Sequence, residues 1–424
     1  MLDIRLIREK PELVEENLKR RHNPEKLKQL EDLIKYDKEY RETLQKLEDL
    51  KHKKNLVTRE IAKTKDKKKI AEMKKVSEEI TTLDKKQEEL KQKVDSLLLT
   101  VPNLLHENVP YGKDENDNKE IRTWGKPPKF SFKPKNHLEL LQDLGLVDAD
   151  RAAKVAGHGF FYFKNDLVLL DYALMKFTID FMLKRGYVLI NPPYMLHEKP
   201  YQGVTDLAFF KDQLYKIQDE DLYLIATSEH AIAAMLMDEV IEKKDLPLKF
   251  VGISPCFRKE VGAHGKYTKG LFRMHQFNKI EQFIFCLPEQ SWQLHEELEK
   301  NSEDLYKALE LPFRVVNVCT GDIGDIAAKK YDIELWMADE KYREAGSNSN
   351  CTDYQARRLN VKYREKEGAA PAGFIHTLNN TAIATSRTML AILEVHQQHD
   401  GSVKIPKALQ PYMGKTEIRN NAKN

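Results

Sequence analysis

The chain lacks most of the features that would place it in a membrane, outside the cell or around a metal. No run of about 18 apolar residues occurs in its 424 residues, so no segment reads as a membrane-spanning helix. The opening stretch from Met1 to Pro11 is studded with charges and has no apolar signal core, and a cytoplasmic address is the expectation. Cysteine is scarce. Cys256, Cys286, Cys319 and Cys351 never form a C-x-x-C pair, which argues against a zinc knuckle and for buried, reduced thiols. Neither a P-loop nor G-x-G-x-x-G is present, so any nucleotide must be held by another device. Between Pro24 and Leu98 the chain has no internal proline, no glycine and almost no aromatic residue, so it is either helical throughout or disordered.

A seven-residue apolar repeat decides for helix. Leu30, Leu33, Tyr40, Leu44, Leu47 and Ile61 mark one seam, and Met73, Val76, Ile80, Leu83, Leu90, Val94 and Leu97 a second. The polar stretch Lys63 to Lys67 separates them and predicts an antiparallel hairpin. Its helices of ~35 residues would run ~50 Å at ~1.5 Å per residue. The overall charge of +3 is uneven, because Lys51 to Lys75 holds 11 Lys or Arg against Glu60, Asp66 and Glu72. That stretch carries +8 and the remainder −5. A basic tip of this kind suits phosphates, whose contacts release counterions, although most coiled coils bind protein.

With 41% hydrophobic and 32% charged residues over this length, two or three domains are expected. Residues 1–105 form the first, with the arm. A linker over 106–135 is rich in Pro, Asn, Asp and Gly, and a second domain spans 136–424. There short apolar strands alternate with helices predicted at 167–184, 229–240 and 290–309. Strands at 250–258 and 271–285 are joined only by a polar loop with three glycines, which demands an antiparallel hairpin. The fold class is therefore α+β, an antiparallel-sheet domain preceded by an antiparallel α-helical coiled-coil arm.

The hairpin also carries chemistry. Arg258 and Glu260, two apart, project to one face, where a guanidinium suits phosphate and a carboxylate an exocyclic amine. Phe277 on the return strand can offer a base its ring. A cross-strand ion pair beside a core phenylalanine would read the same way. Arg387 follows the small residues Thr381 to Ser386 at the mouth of an apolar helix. Strand 333–337 leads into Tyr342 to Cys351, where Glu344 and Ser347 offer hard oxygens to Mg²⁺. His275 in the hairpin reads as structural.

In this order these stretches resemble motifs 2 and 3, with the preceding metal strand, of the class II aminoacyl-tRNA synthetases. Arg185 to Pro193 resembles motif 1, with Pro193 at the dimer-interface proline. More narrowly, nearly the whole chain is similar to seryl-tRNA synthetase of the bacterial type. The matching stretches are Ala152 to Val155, Thr227-Ser228-Glu229, the Arg258 hairpin, Lys279-Ile280-Glu281, Thr320 to Gly324 and Tyr354 to Arg358. It departs at Asn380-Thr381, where many relatives have Gly-Ser, at Ser386, where they have glycine, and at the Ala-Gly-Ser that follows Glu344.

The resemblance implies an ATP-dependent ligase that joins L-serine to tRNA(Ser) through seryl-adenylate, with tRNA(Sec) left open as a second acceptor. Arg258 would hold the α-phosphate, Glu260 and the Met274 backbone the adenine, Phe277 its face, and Arg387 the γ-phosphate. Lys259, Ala345 and Gly346 complete the expected ATP site, and Glu344 and Ser347 would ligate Mg²⁺. Serine is expected against Thr227, Ser228, Glu229, Glu281 and Thr381. The basic arm around Lys51 to Lys75 would grip tRNA, and two chains would pair near Pro193. A tRNA-independent ligase for a carrier protein would have no use for the arm. A noncatalytic paralogue would be expected to lose Arg258, Glu344 or Arg387.

Overall fold

In the computed structural model, residues 1–205, 207–260 and 270–420 are described, and they form two compact units, Met1–Leu104 and Leu105–Asn424. The first unit is helical. Short helices α1 (Ile4–Glu9) and α2 (Pro11–Arg20) precede α3 (Pro24–Thr64) and α4 (Lys67–Thr100). Pro24 opens α3 in the first turn, where its missing N–H costs nothing, and Asn23 caps it by accepting from the Lys26 N–H. The hairpin closes in two residues. Lys65 adopts the left-handed conformation, and the Asp66 carboxylate accepts from the Lys68 and Lys69 N–H groups at the start of α4.

Leu30, Leu33 and Leu47 are buried against Met73, Val76, Ile80, Leu90 and Val94, so the two seams meet as expected. Two details differ. Leu98, not Leu97, ends the second seam, and Asp37 is buried where Tyr40 and Leu44 are only half-buried. Asp37 tolerates this because Arg8 grips both its oxygens, at 2.9 and 2.7 Å, and Arg41 adds a third bond at 3.0 Å. These guanidinium groups hold its pKa below the ordinary carboxylate value, although burial pushes the other way.

The second unit is built on an eight-stranded sheet. In chain order its strands are β1 (Lys119–Trp124), β2 (Val188–Ile190), β3 (Leu248–Phe257), β4 (Gln276–Cys286), β5 (Phe313–Asn317), β6 (Lys329–Trp336), β7 (Tyr342–Asn350) and β8 (His376–Ala384). They lie in the order β1-β5-β6-β7-β8-β4-β3-β2, every pair antiparallel except β2 with β3 at the edge. Helices α5 (Asp166–Leu183), α6 (Ser228–Ala234), α7 (Ser291–Ala308) and α8 (Thr385–Val395) flank it. Leu170, Leu174, Ile280, Leu298, Ile333, Leu378 and Leu390 belong to one continuous core.

Three boundaries differ from the sequence reading. The stretch expected as a linker contains β1, which pairs with β5 and closes the sheet. The strand expected from Leu271 begins at Gln276, after a tight turn at Gly270–Phe272. The helix expected to reach Val240 stops at Ala234, and Val240–Glu242 pairs in parallel with Lys362–Arg364 in a side sheet. The antiparallel hairpin itself is as expected, and its register sets Cys256 opposite Phe277 and Phe257 opposite Gln276. Most of the glycine-bearing loop expected to join its strands, 261–269, lies outside the described residues. All four cysteines are buried thiols, and none forms a disulfide among the described residues.

Candidate active site

Arg258 stands one step beyond the last ladder pair of the β3/β4 hairpin, its N–H donating to the His275 carbonyl at 3.0 Å. Its Nε donates to the Ala226 carbonyl at 3.3 Å, and its guanidinium lies 5.3 Å from the centre of the Phe277 ring. A cation thus already rests on the ring expected to receive a base. His275 is a bolt here: Nδ1 lies 2.8 Å from the Arg258 carbonyl and 3.0 Å from the Tyr215 hydroxyl, and the ring stacks on Phe160.

Within reach of the Arg258 charge lies a carboxylate pair, Glu281 buried and Glu229 half-buried. Thr227 caps α6 and accepts from the Glu229 N–H at 3.2 Å. Glu281 on β4 receives the Thr381 hydroxyl at 3.2 Å and the Lys279 ammonium at 2.6 Å. Burial and the Glu281 carboxylate push the Glu229 pKa up to about 7, against the pull of Lys279, Arg258 and a hydrogen bond from Gln355. The same surroundings, burial first and then Lys279 and Arg258, push His230 down to about 3.

The Arg258 charge also reaches Glu344, whose side chain is half exposed. Arg387, in the first turn of α8, donates to the Glu344 carbonyl at 2.9 Å and to its carboxylate at 3.2 Å, and covers Phe272 at 5.0 Å. Burial raises the Glu344 pKa, but Arg387, Lys330 and Arg258 together hold it below the ordinary value. Three residues apart on a regular strand, Glu344 and Ser347 would face opposite sides. A bulge at Ala345 corrects this. Glu344 pairs with Glu334 and Ser347 with Asp332, so both partners, and hence both residues, share a face. Among the described residues no three His, Cys, Asp or Glu side chains cluster as a metal cage. One carboxylate and one hydroxyl do fit Mg²⁺, which keeps few protein ligands and takes the rest from phosphates and water.

Comparison with known proteins bears on this geometry. The model of the tRNA synthetase class II core domain (G, H, P, S and T) matches residues 213–396, and that of the Seryl-tRNA synthetase N-terminal domain matches residues 1–105. The chain is 50% identical over 424 residues to the serine–tRNA ligase of Methanospirillum hungatei, covering 99% of this chain and 100% of that one. The chain belongs to the seryl-tRNA synthetases. Among solved structures, the seryl-tRNA synthetase of Pyrococcus horikoshii complexed with ATP matches with a TM-score of 0.95 at 47% identity, covering 99% of this chain and 100% of that one. The cytoplasmic serine–tRNA ligase of Naegleria fowleri in complex with AMP matches at 0.89 and 36%, covering 99% of each. Methanospirillum and Pyrococcus are archaea, so the bacterial-type qualifier finds no support and is withdrawn.

Within this synthetase fold not every expected residue converges. Ser228 is fully buried and packs against strand β3, where a Cβ at Gly252 would sit 2.9 Å from its Oγ. Lys259 turns to the Tyr215 ring, 5.8 Å away. Glu260 sits at a φ of 49° with Arg273 at 3.4 Å. The Met274 side chain belongs to the core, which leaves its backbone for recognition. Ala345 is the buried residue of the bulge. Gly346 admits Thr381, since a Cβ there would come within 2.9 Å of the Thr381 Cβ. Sequence reasoning passed over Lys279 and Gln355 as site residues. The first was within reach of the rule applied to Arg258 and Glu260, because Lys279 and Glu281 are two apart on one strand.

Proposed function

We propose that the Glu229, Glu281, Thr227 and Thr381 side receives L-serine and the Glu344 and Arg387 side receives ATP, with the reaction taking place at Arg258. As a serine–tRNA ligase the chain joins L-serine to tRNA with ATP. The observation that carries the site assignment is the position of Arg258, whose charge acts on Glu229 and on Glu344 alike. A serine carboxylate oxygen attacks the α-phosphorus, the bond to the bridging oxygen breaks, and pyrophosphate leaves. The tRNA terminal ribose hydroxyl then attacks the seryl carbonyl and AMP leaves. Arg258 and Arg387 neutralise phosphate charge, and the Glu229 and Glu281 carboxylates take the ammonium and hydroxyl of serine. Glu344 and Ser347 would hold Mg²⁺, which when bound offsets charge on the phosphates.

The helical arm is the tRNA grip in this reading. Lys51, Lys53 and Lys69 are engaged with Asp84, Glu72 and Glu60 across the hairpin, whereas Lys63, Lys65, Lys67, Lys68, Lys74 and Lys75 are exposed near its end. Two chains would pair at the open edge of the sheet. There β2 leaves Val188 57% and Leu189 40% exposed, next to exposed Pro193, Tyr194 and Met195. No helix among the described residues is long and apolar enough to cross a membrane. The cytoplasmic setting and tRNA(Sec) as a second acceptor remain part of the proposal, the latter checked by charging purified tRNA(Sec).

Amino-acid-dependent pyrophosphate exchange tests the assignment. Exchange with serine alone is expected, falling about 10²- to 10³-fold in Arg258→Ala and stopping when Mg²⁺ is chelated. Exchange unchanged in the mutant would overturn the placement of the reacting phosphate.

A further inference from the structure

Behind the pocket, on the opposite face of the sheet, Ser302 of α7 is a hydrogen-bond hub. Its hydroxyl accepts from Asn380 Nδ2 at 3.0 Å and from Gln282 Nε2 at 3.2 Å, and donates to the Thr381 carbonyl at 3.0 Å. Ser302, Asn380 and Gln282 are all fully buried. Asn380 and Gln282 are cross-strand partners on β8 and β4, and both also donate to the Leu298 carbonyl, at 2.7 and 3.3 Å. The hub meets β8 where its ladder breaks. Thr381 pairs with Glu281 but Ile383 with Ile280, so Ala382 is an inserted residue. A bulge re-aims the side chain before it, and here that side chain is Thr381, whose hydroxyl reaches Glu281 and whose Cβ lies against Gly346.

Resting on the serine site assigned above, we propose that Ser302 is a positioning residue which pins the Thr381 carbonyl, sets the depth of the serine pocket and so governs rejection of threonine. Pocket walls discriminate poorly against one extra methyl group unless they cannot yield. Thr381 is held from three directions, by Glu281 through its hydroxyl, by Gly346 across the strand and by Ser302 through its carbonyl. Only the last restraint lies outside the pocket. Removing it leaves every group that would touch serine in place but lets the bulge relax. The departure at Asn380-Thr381 gains a reason. Asn380 faces away from serine and feeds the hub.

The test is pyrophosphate exchange with serine and with threonine in Ser302→Ala and Gln282→Met, with thermal melts of both. Gln282→Met breaks the same hub but spares the bond to Thr381. In Ser302→Ala we expect a severalfold rise in KM for serine, an unchanged KM for ATP, and about a tenfold fall in the serine-to-threonine ratio of kcat/KM. Gln282→Met should lower the melting temperature and leave that ratio alone. Ratios that shift equally in both variants, or in neither, would reduce Ser302 to a structural role and overturn the inference. If Ser302→Ala does not fold, Ser302→Cys, a weaker donor, carries the same expectation in smaller measure. Wild-type protein that exchanges with another amino acid would instead sink the serine assignment itself.

Discussion

At the scale of single residues, the site is a set of charges arranged around Arg258, and its acid-base behaviour follows from their burial. Burial and the neighbouring Glu281 charge push Glu229 up to about 7, so its carboxylate gains a proton near neutrality. The deprotonated form is the one that attracts an ammonium group. Because the pKa is raised, that form is lost as pH falls through about 7, where an ordinary glutamate would stay charged down to about 4.3. We expect kcat/KM for serine to drop up to about tenfold per pH unit below that point, since this ratio reports the free enzyme. Glu229→Gln should lower activity and abolish this limb of the profile, and a flat wild-type profile from about pH 6 to about pH 8, roughly one unit either side of that pKa, would contradict the role. The residues proposed to touch ligands could be named from sequence because their spacing resembles that of the family. Ser302 was not. Its meaning depends on a bulge on a strand some 80 residues away, and no local pattern announces that.

At the scale of elements, strong periodicity was readable and weak periodicity was not. The two seams of the arm and the β3/β4 hairpin were legible because each repeats its signal over many residues. Strand β1 was hidden in a proline-rich stretch, and of its own residues only Ile121 and Trp124 pack on the core. Helix α6 was overextended because its apolar run continues through Met235, Leu236 and Met237 without a periodic break, and the chain instead turns at Asp238, with φ of 64°. The Glu and Ser of strand β7 were legible as a composition, but its bulge at Ala345 was not, and the bulge is what puts Glu344 and Ser347 on one face. For the arm, exchanging Lys63, Lys65, Lys67 and Lys68 for alanine should raise KM for tRNA at least tenfold, while serine-dependent pyrophosphate exchange stays at the wild-type level. The salt dependence of tRNA binding should become shallower by about one unit for each phosphate that the arm no longer neutralises. Equal loss in both assays would mean that these lysines support folding and not tRNA.

At the scale of the molecule, two compact units divide recognition from chemistry in our proposal, and the edge strand β2 calls for a partner. A chain with Val188 and Leu189 this exposed at an unpaired sheet edge is expected to be dimeric in light scattering. Leu189→Lys should shift it toward monomer and weaken tRNA charging more than adenylate formation, and a fully active monomer would refute the pairing. The closed two-residue tip at Lys65 and Asp66 has a consequence for how such an arm can change over time. With both ends of the seam tied together, one added residue in α3 alone would rotate everything beyond it by about 100° and turn its apolar stripe to water. Length can therefore change only by matched insertions in both helices, seven residues at a time, each step worth about 10 Å. The arm is a ruler with coarse graduations, and variants that measure a differently sized ligand are reachable by whole notches alone.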